Sequence, residues 1–216
     1  MRIGIFGGAF DPPHIGHLIL AGEAAYQLKL SRLLWVLTPD PPHKLGRAIS
    51  PAGQRLDLVN AEIDGEPAFE LSRVDLDRRG PHYAVDTLQL LSAAYPGDEL
   101  VYLMGGDSLR DLPGWYQPQA LVDTCALLGV MRRPGDHIDL DVLEQALPGV
   151  TAKVAFIDTP LVEISSAEIR RRMAAGQPYR NFLTEQVYQV IQAHHYYAFV
   201  EPETRPGNPH PIQNFR

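Results

Sequence analysis

The sequence predicts an α/β fold: an open parallel sheet with helices on both faces. Three observations lead there. Short apolar runs alternate with longer stretches of helical period, which is the pattern of parallel strands joined by crossover helices. No linker and no internal repeat interrupts the alternation. The segments richest in glycine, proline and charge, 7–17, 38–44, 105–110 and 132–135, each lie just past an apolar run. In an open sheet those positions cluster outside the carboxyl ends of the strands, where ligands bind.

The elements follow in order from hydrophobic period and punctuation. "RIGIF" (2–6) is a short buried strand, followed by the turn "GGAFDPPH". "IGHLILAGEAAYQL" (15–28) is a helix with apolar positions at 18, 19, 21, 25 and 28. "RLLWVL" (32–37) is a second strand. "TPDPPHKLG" (38–46) is a loop stiffened by three prolines. "PAGQRLDLVNAEI" (51–63) is helical, "FELSRVDL" (69–76) alternates as a strand, and "YAVDTLQLLSAAY" (83–95) is helical up to Pro96-Gly97. "ELVYLM" (99–104) and "CALLGVM" (125–131) are strands, "LDVLEQAL" (140–147) a short helix and "KVAFI" (153–157) the last strand. Two helices close the fold, "SSAEIRRRMAAG" (165–176) and "TEQVYQVIQAHH" (184–195). The expected organisation is one domain over 1–200 and a flexible tail over 201–216, where four prolines and no apolar period occur.

Composition narrows the classes. A chain of 216 residues can bury about 70% of its unfolded surface and needs no staples. Its one cysteine, Cys125, lies in an apolar run and reads as a buried core thiol. No C-x-x-C or H-E-x-x-H pattern occurs, so no protein-held metal site is expected. The start "MRIGIFGG" lacks a signal-peptide apolar region, and no stretch approaches the ~20 apolar residues of a membrane span. The expectation is a cytoplasmic protein with no membrane association. The net charge of −7 argues against a nucleic-acid partner, which would call for a basic face. A few local cations and backbone dipoles still suffice for a small anion.

The first turn is built for such an anion. Gly7 and Gly8 permit positive φ and close approach of a ligand to the backbone. Asp11 can accept hydrogen bonds from the turn, and Pro12 and Pro13 set the start of the helix. His14 and His17 are three apart and share one face of its first turn. The helix N-terminus adds free N–H groups and partial positive charge, so the cluster suits a polyphosphate. The chain has no G-x-G and no Gly-Lys pair, which leaves out the dinucleotide fingerprint and the P-loop. In "ISSAEIR" (164–170), Ser165 and Glu168 form an S-x-x-E capping box.

"GGAFDPPHIGH" (7–17) resembles the G-G-x-F-D-P-x-H-x-G-H signature of the nucleotidylyltransferase superfamily. "PPHK" (41–44), "YAVDTL" (83–88), "GGDSLRDLPGWY" (105–116), "RRPG" (132–135) and "ISSAEIR" follow in the order found in bacterial nicotinate mononucleotide adenylyltransferases. The resemblance spans residues 1 to 197. It implies a Rossmann-like fold of the nucleotidylyltransferase type. It also implies transfer of the adenylyl group of ATP, with Mg²⁺, to nicotinate mononucleotide, giving nicotinic acid adenine dinucleotide and pyrophosphate in NAD biosynthesis.

The same resemblance assigns roles. His17 would bind the transferring α-phosphate, and His14 the neighbouring phosphates. Lys44 and Arg170 would neutralise the triphosphate. ATP contacts would come from Gly7, Gly8, Ala9, Phe10, Asp11, Gly16, Gly105, Asp107, Arg133, Ile164, Ser165 and Ser166. The pyridine mononucleotide would meet Thr38, His43, Lys44, Tyr83, Ala84, Thr87, Trp115 and Tyr116, with Trp115 stacked on the ring. Two positions depart from the family pattern: Ala84 stands where Thr is common, and Thr38-Pro39 where Asn or another small residue is. The amide mononucleotide or another phosphate acceptor remains an alternative, as does a non-catalytic nucleotide-binding module. A homo-oligomer is compatible with the sequence. A tRNA-binding synthetase relative is disfavoured by the charge, the short chain and the lack of a K-M-S-K-S loop.

Overall fold

The computed structural model describes residues 1–41, 49–132, 137–160 and 162–197. Six strands form one sheet: β1 (Arg2–Gly8), β2 (Arg32–Leu37), β3 (Phe69–Ser72), β4 (Glu99–Gly105), β5 (Leu127–Met131) and β6 (Val154–Ile157). Their order is β3-β2-β1-β4-β5-β6 and every ladder is parallel. Ile5 of β1 lies opposite Leu34 of β2 and Tyr102 of β4. The chain therefore winds outward from β1 in one direction, then returns to β1 and winds outward in the other. The reversal leaves a crevice beyond the carboxyl ends of β1 and β4.

The period of two in the strands divides the core by face. Ile3, Ile5, Leu34, Val36, Leu100, Tyr102, Leu128 and Val130 face one side. There they meet α3 (Ala84–Ala94), α4 (Gly106–Asp111), α5 (Pro118–Thr124) and α6 (Leu140–Ala146). Phe6, Leu33, Trp35, Leu37, Val101 and Leu103 face the other, against α1 (Ile15–Gln27) and α2 (Ala52–Ile63). With both faces covered, the strands need the continuous apolar runs seen in the sequence. A third cluster, Leu58, Ile169, Leu183, Val187 and Ile191, joins α2 to α7 (Ser166–Ala174) and α8 (Glu185–His194). Cys125 is buried and free, and burial pushes its thiol up to about 12.

The structure corrects three expectations. β1 continues through Gly7 and Gly8, and neither adopts positive φ; the left-handed residue of the turn is Phe10, at φ 46°. A Cβ on Gly8 would stand 2.9 Å from the Phe10 ring, so glycine serves close approach here. β3 stops at Ser72, because the chain then turns to bury Asp75 against Arg78 and Thr87. Finally, α4 and α5 occupy stretches where no helix is expected from period, and β5 starts at Leu127 rather than Cys125.

Candidate active site

A cavity of about 1740 Å³ opens at the reversal of strand order. Its walls come from the turn after β1, the ends of β2 and β4, the start of α3, the loop around Trp115 and the start of α7. The topology thus gathers sequence motifs that lie up to 159 residues apart.

The β1–α1 turn is built around two rings. The His14 backbone N–H donates to Nδ1 of His17 at 3.2 Å. An Nδ1 that accepts carries no proton, so in its neutral form the His17 ring carries its proton on Nε2. The two imidazoles lie 3.7 Å apart between centroids. Phe6 and Phe10 bound the His17 ring at 5.9 and 5.2 Å. His14, 6% exposed, is the N-cap of α1. Its ring lies across Gly16, where a Cβ would approach Nδ1 to 3.0 Å. A bulkier residue at position 16 would displace the ring.

The start of α7 is fastened directly to this turn. The Ser166 hydroxyl donates to the Pro12 carbonyl at 2.8 Å. Arg170 donates through Nη1 to the Asp11 carbonyl, and the same nitrogen lies 3.6 Å from Asp11 Oδ2. Ser165 caps α7 by accepting the Glu168 N–H at 3.2 Å. Only this half of the expected capping box forms, because the Glu168 carboxylate is taken by Arg171 and Arg172 at 2.7 to 2.8 Å. Those guanidiniums, Arg171 first, hold the carboxyl down at about 2. Ile164 lines the cavity beside the α7 N-terminus.

The other end of the cavity is aromatic. Trp115 follows a 3-10 turn, Leu112–Gly114, and meets Tyr102 edge-on at 6.4 Å. Tyr116 stacks on Tyr83 at 4.3 Å and 24°. Ala84 and Thr38 also line the cavity. The Thr87 hydroxyl donates to buried Asp75 at 2.7 Å and accepts from Arg78 at 3.2 Å. Thr87 thus orders the pocket wall from within. Gly105 is the N-cap of α4, and Asp107 lies exposed in its first turn, accepting the Ser108 N–H at 3.0 Å. Arg132 lies over the Phe156 ring at 4.3 Å. His43, Lys44 and Arg133 fall outside the described residues.

Two site residues escape the sequence reading. Arg55, on α2, is 1% exposed. It donates to four carbonyls: Ala9 at 2.9 Å, Thr38 at 3.0 Å, Pro39 at 2.7 Å and Ser50 at 2.8 Å. One guanidinium thereby ties the turn after β1 to the chain on both sides of 42–48. Burial pushes Arg55 below its usual value, with the nearby Asp11 charge opposing. A signal for Arg55 exists: positions 55, 58, 59 and 62 form the buried stripe of α2, and two of the four are charged. Tyr197, beyond α8, donates to Asp11 Oδ1 at 2.8 Å, with the side chains of Ser50 and Gln54 near its phenol. Burial and the Asp11 charge push the phenol up. Nothing local to Tyr197 in the sequence points to this contact.

Comparison with known proteins follows the same lines. The cytidylyltransferase-like family model matches residues 5–172. A "Probable nicotinate-nucleotide adenylyltransferase" of Thermomicrobium roseum is 44% identical over 200 residues, covering 93% of each chain. The nicotinate-nucleotide adenylyltransferase of Bacillus subtilis is 35% identical over 191 residues, covering 88% of this chain and 95% of its own. Among solved structures, the Plasmodium falciparum nicotinic acid mononucleotide adenylyltransferase complexed with NaAD superposes with a TM-score of 0.73. Its identity is 18%, with 91% of this chain and 97% of that one covered. That likeness speaks for the fold alone.

Proposed function

From the premise that the chain belongs to the cytidylyltransferase-like family and, within it, to the nicotinate-nucleotide adenylyltransferases, we propose that it adenylylates nicotinate mononucleotide. ATP and nicotinate mononucleotide give nicotinic acid adenine dinucleotide and pyrophosphate. One observation carries the reading on this chain's own residues: the turn bearing His14 and His17 is bonded to the start of α7 and Arg170, beside an aromatic pocket.

The chemistry needs no protein nucleophile. The 5′-phosphate of the mononucleotide is already ionised and attacks the α-phosphorus of ATP in line. The P–O bond to pyrophosphate breaks as the new one forms, and the leaving oxygen takes its electron pair. Positioning and charge stabilisation then supply the catalysis. The Nε2–H of His17 donates to an α-phosphate oxygen as charge builds there. His14 and the α1 N-terminus extend the cradle towards the neighbouring phosphates. Arg170 and the free N–H groups at the start of α7 hold the triphosphate, and Lys44 belongs to the same reading. Trp115 offers its face to the pyridine ring, while Tyr83 and Tyr116 form the rim.

Among the described residues no three His, Cys, Asp or Glu side chains group to hold a metal. The phosphate end presents the N–H donors of His17, Arg170 and the α7 N-terminus, while the Asp11 carboxylate there is taken up by Tyr197 and Ser50. This set fits Mg²⁺ carried on the nucleotide, since that ion prefers phosphate and water oxygens. When bound there it neutralises phosphate charge.

The test is pyrophosphate release from Mg-ATP with nicotinate mononucleotide, its amide and phosphopantetheine side by side. Strong preference for the acid is expected, and would show that Ala84 is compatible with its recognition. Equal use of acid and amide would widen the substrate while keeping the chemistry. Release with phosphopantetheine alone would overturn the pyridine assignment. ATP binding without release would leave a nucleotide-binding module.

A further inference from the structure

The contacts of Asp11 raise a question that the proposed chemistry leaves open. Asp11 is 5% exposed and faces Arg170, the residue read here as a phosphate ligand. A carboxylate and a guanidinium frequently meet as a bidentate pair, with two parallel N–H···O bonds. Here they do not. Arg170 reaches Asp11 through Nη1 alone, bonding its main-chain oxygen and standing 3.6 Å from Oδ2. Its Nε and Nη2 make no hydrogen bond or ion pair among the described residues. The other carboxylate oxygen, Oδ1, is engaged by the phenol of Tyr197 at 2.8 Å, and Oδ2 also accepts the Ser50 N–H at 3.2 Å.

We propose that Tyr197 is a positioning residue for adenylyl transfer: by occupying Asp11 Oδ1 it keeps Arg170 from closing a bidentate pair with Asp11, and so leaves Nε and Nη2 of Arg170 to the triphosphate. The inference rests on the reading of Arg170 as a phosphate ligand. Its physical basis is competition for a buried acceptor. A buried carboxylate oxygen stripped of its donor carries a desolvation penalty and turns to the nearest remaining donor. The guanidinium is already in contact with the same residue and offers three further N–H donors on Nε and Nη2. Each one drawn to Asp11 is lost to the phosphates. The segment after α8 thereby belongs to the site, although it follows every recognisable motif. α8 places it by packing on α2 through Leu58, Val187 and Ile191.

Tyr197→Phe removes only the hydroxyl. Titration of Mg-ATP into the full-length protein is expected to show a Kd raised about tenfold, one charge-assisted contact's worth. KM for nicotinate mononucleotide should stay within about twofold, since that ligand does not depend on Arg170. The double-mutant cycle with Arg170→Lys gives the sharper readout. A lysine ammonium is a point charge with no fork to close on Asp11. On that background Tyr197→Phe should change the ATP Kd by less than about twofold. An equal loss on both backgrounds, an unchanged Kd for ATP, or a parallel weakening of both substrates with a lowered Tm would each overturn the proposal. The binding measurement does not require turnover. Wild-type protein that binds Mg-ATP but adenylylates no mononucleotide would sink the proposed function while the cycle still decides the role of Tyr197. Wild-type protein that binds no Mg-ATP would sink both.

Discussion

A single nitrogen decides the sharpest expectation at the scale of residues. His17 Nδ1 is engaged by the turn it sits on, so only Nε2 can serve the substrate. His17→Ala is expected to lower turnover by about 10²–10³, the usual effect of deleting one preorganised donor. Its Tm should move little, because the ring borders the cavity. Turnover within tenfold of wild type would remove His17 from the α-phosphate. Arg55 presents the opposite balance of structure and chemistry. Arg55→Met would leave four carbonyls without their donor inside the protein, and each such loss costs about 1–3 kcal/mol. Loss of cooperative unfolding, or a Tm lowered by ten degrees or more, is expected in a thermal melt. A stable Arg55→Met protein with wild-type activity would show that the carbonyls find other partners. Sequence brings His14, His17 and Asp11 together because they are local to one another, and the structure places all three in one turn lining the cavity. Sequence misses Arg55, whose place on the buried stripe of α2 is its one local signal and whose partners lie 5 to 46 residues away, and Tyr197, whose partner Asp11 lies 186 residues away.

Elements were legible to the extent that burial imposes a period. The strands beneath two helical layers are apolar throughout, and their runs stand out. α1, α2, α3, α7 and α8 each show a one-sided stripe. α4 and α5 do not: both are short, and they begin on turn residues, α4 on the glycine pair 105–106 and α5 on Pro118 after the left-handed Gln117, which mask their helical character. β3, at the sheet edge and four residues long, borrowed its apparent extension from the alternation of the loop after it. The α2 stripe contains one further consequence. Glu62 is 3% exposed, and its Oε2 accepts the hydroxyl of Thr184, the N-cap of α8, at 2.7 Å. Oε1 has no partner among the described residues. Burial raises this carboxyl from its ordinary 4.5 to about 7, with the Thr184 bond opposing. The fold therefore prefers the protonated acid. Its contribution to stability is full below about 4.5 and disappears as pH rises through about 7, a change of roughly 3 kcal/mol. Glu62→Gln keeps an acceptor for Thr184 and cannot ionise. It is expected to match wild type in urea denaturation near pH 4.5 and to exceed it at pH 8. Parallel stability–pH curves for the two proteins would count against a buried, titrating Glu62.

At the scale of the whole molecule, the reversal of strand order makes one cavity with two chemically different ends. The phosphate end joins the β1–α1 turn to the α7 N-terminus, and the aromatic end joins the start of α3 to the Trp115 loop. Because α7 is tied to Pro12 and Asp11, occupation of the phosphate end should resist separation of α7 from the sheet. Mg-ATP at about 100 times its Kd would add about 2.7 kcal/mol by mass action. For a chain of this size each kcal/mol raises Tm by about 2–4 °C, so a shift of roughly 5–10 °C is expected. The two ends should also be separable. Arg170→Ala ought to abolish most of the shift produced by Mg-ATP and leave that produced by nicotinate mononucleotide. Trp115→Ala ought to do the reverse, since the ring it would stack belongs to the mononucleotide. Thermal melts of the two variants with each ligand alone test this arrangement without any assay of turnover. If either variant loses both shifts together, the cavity acts as one undivided site, and the division of labour between its phosphate and aromatic ends is wrong.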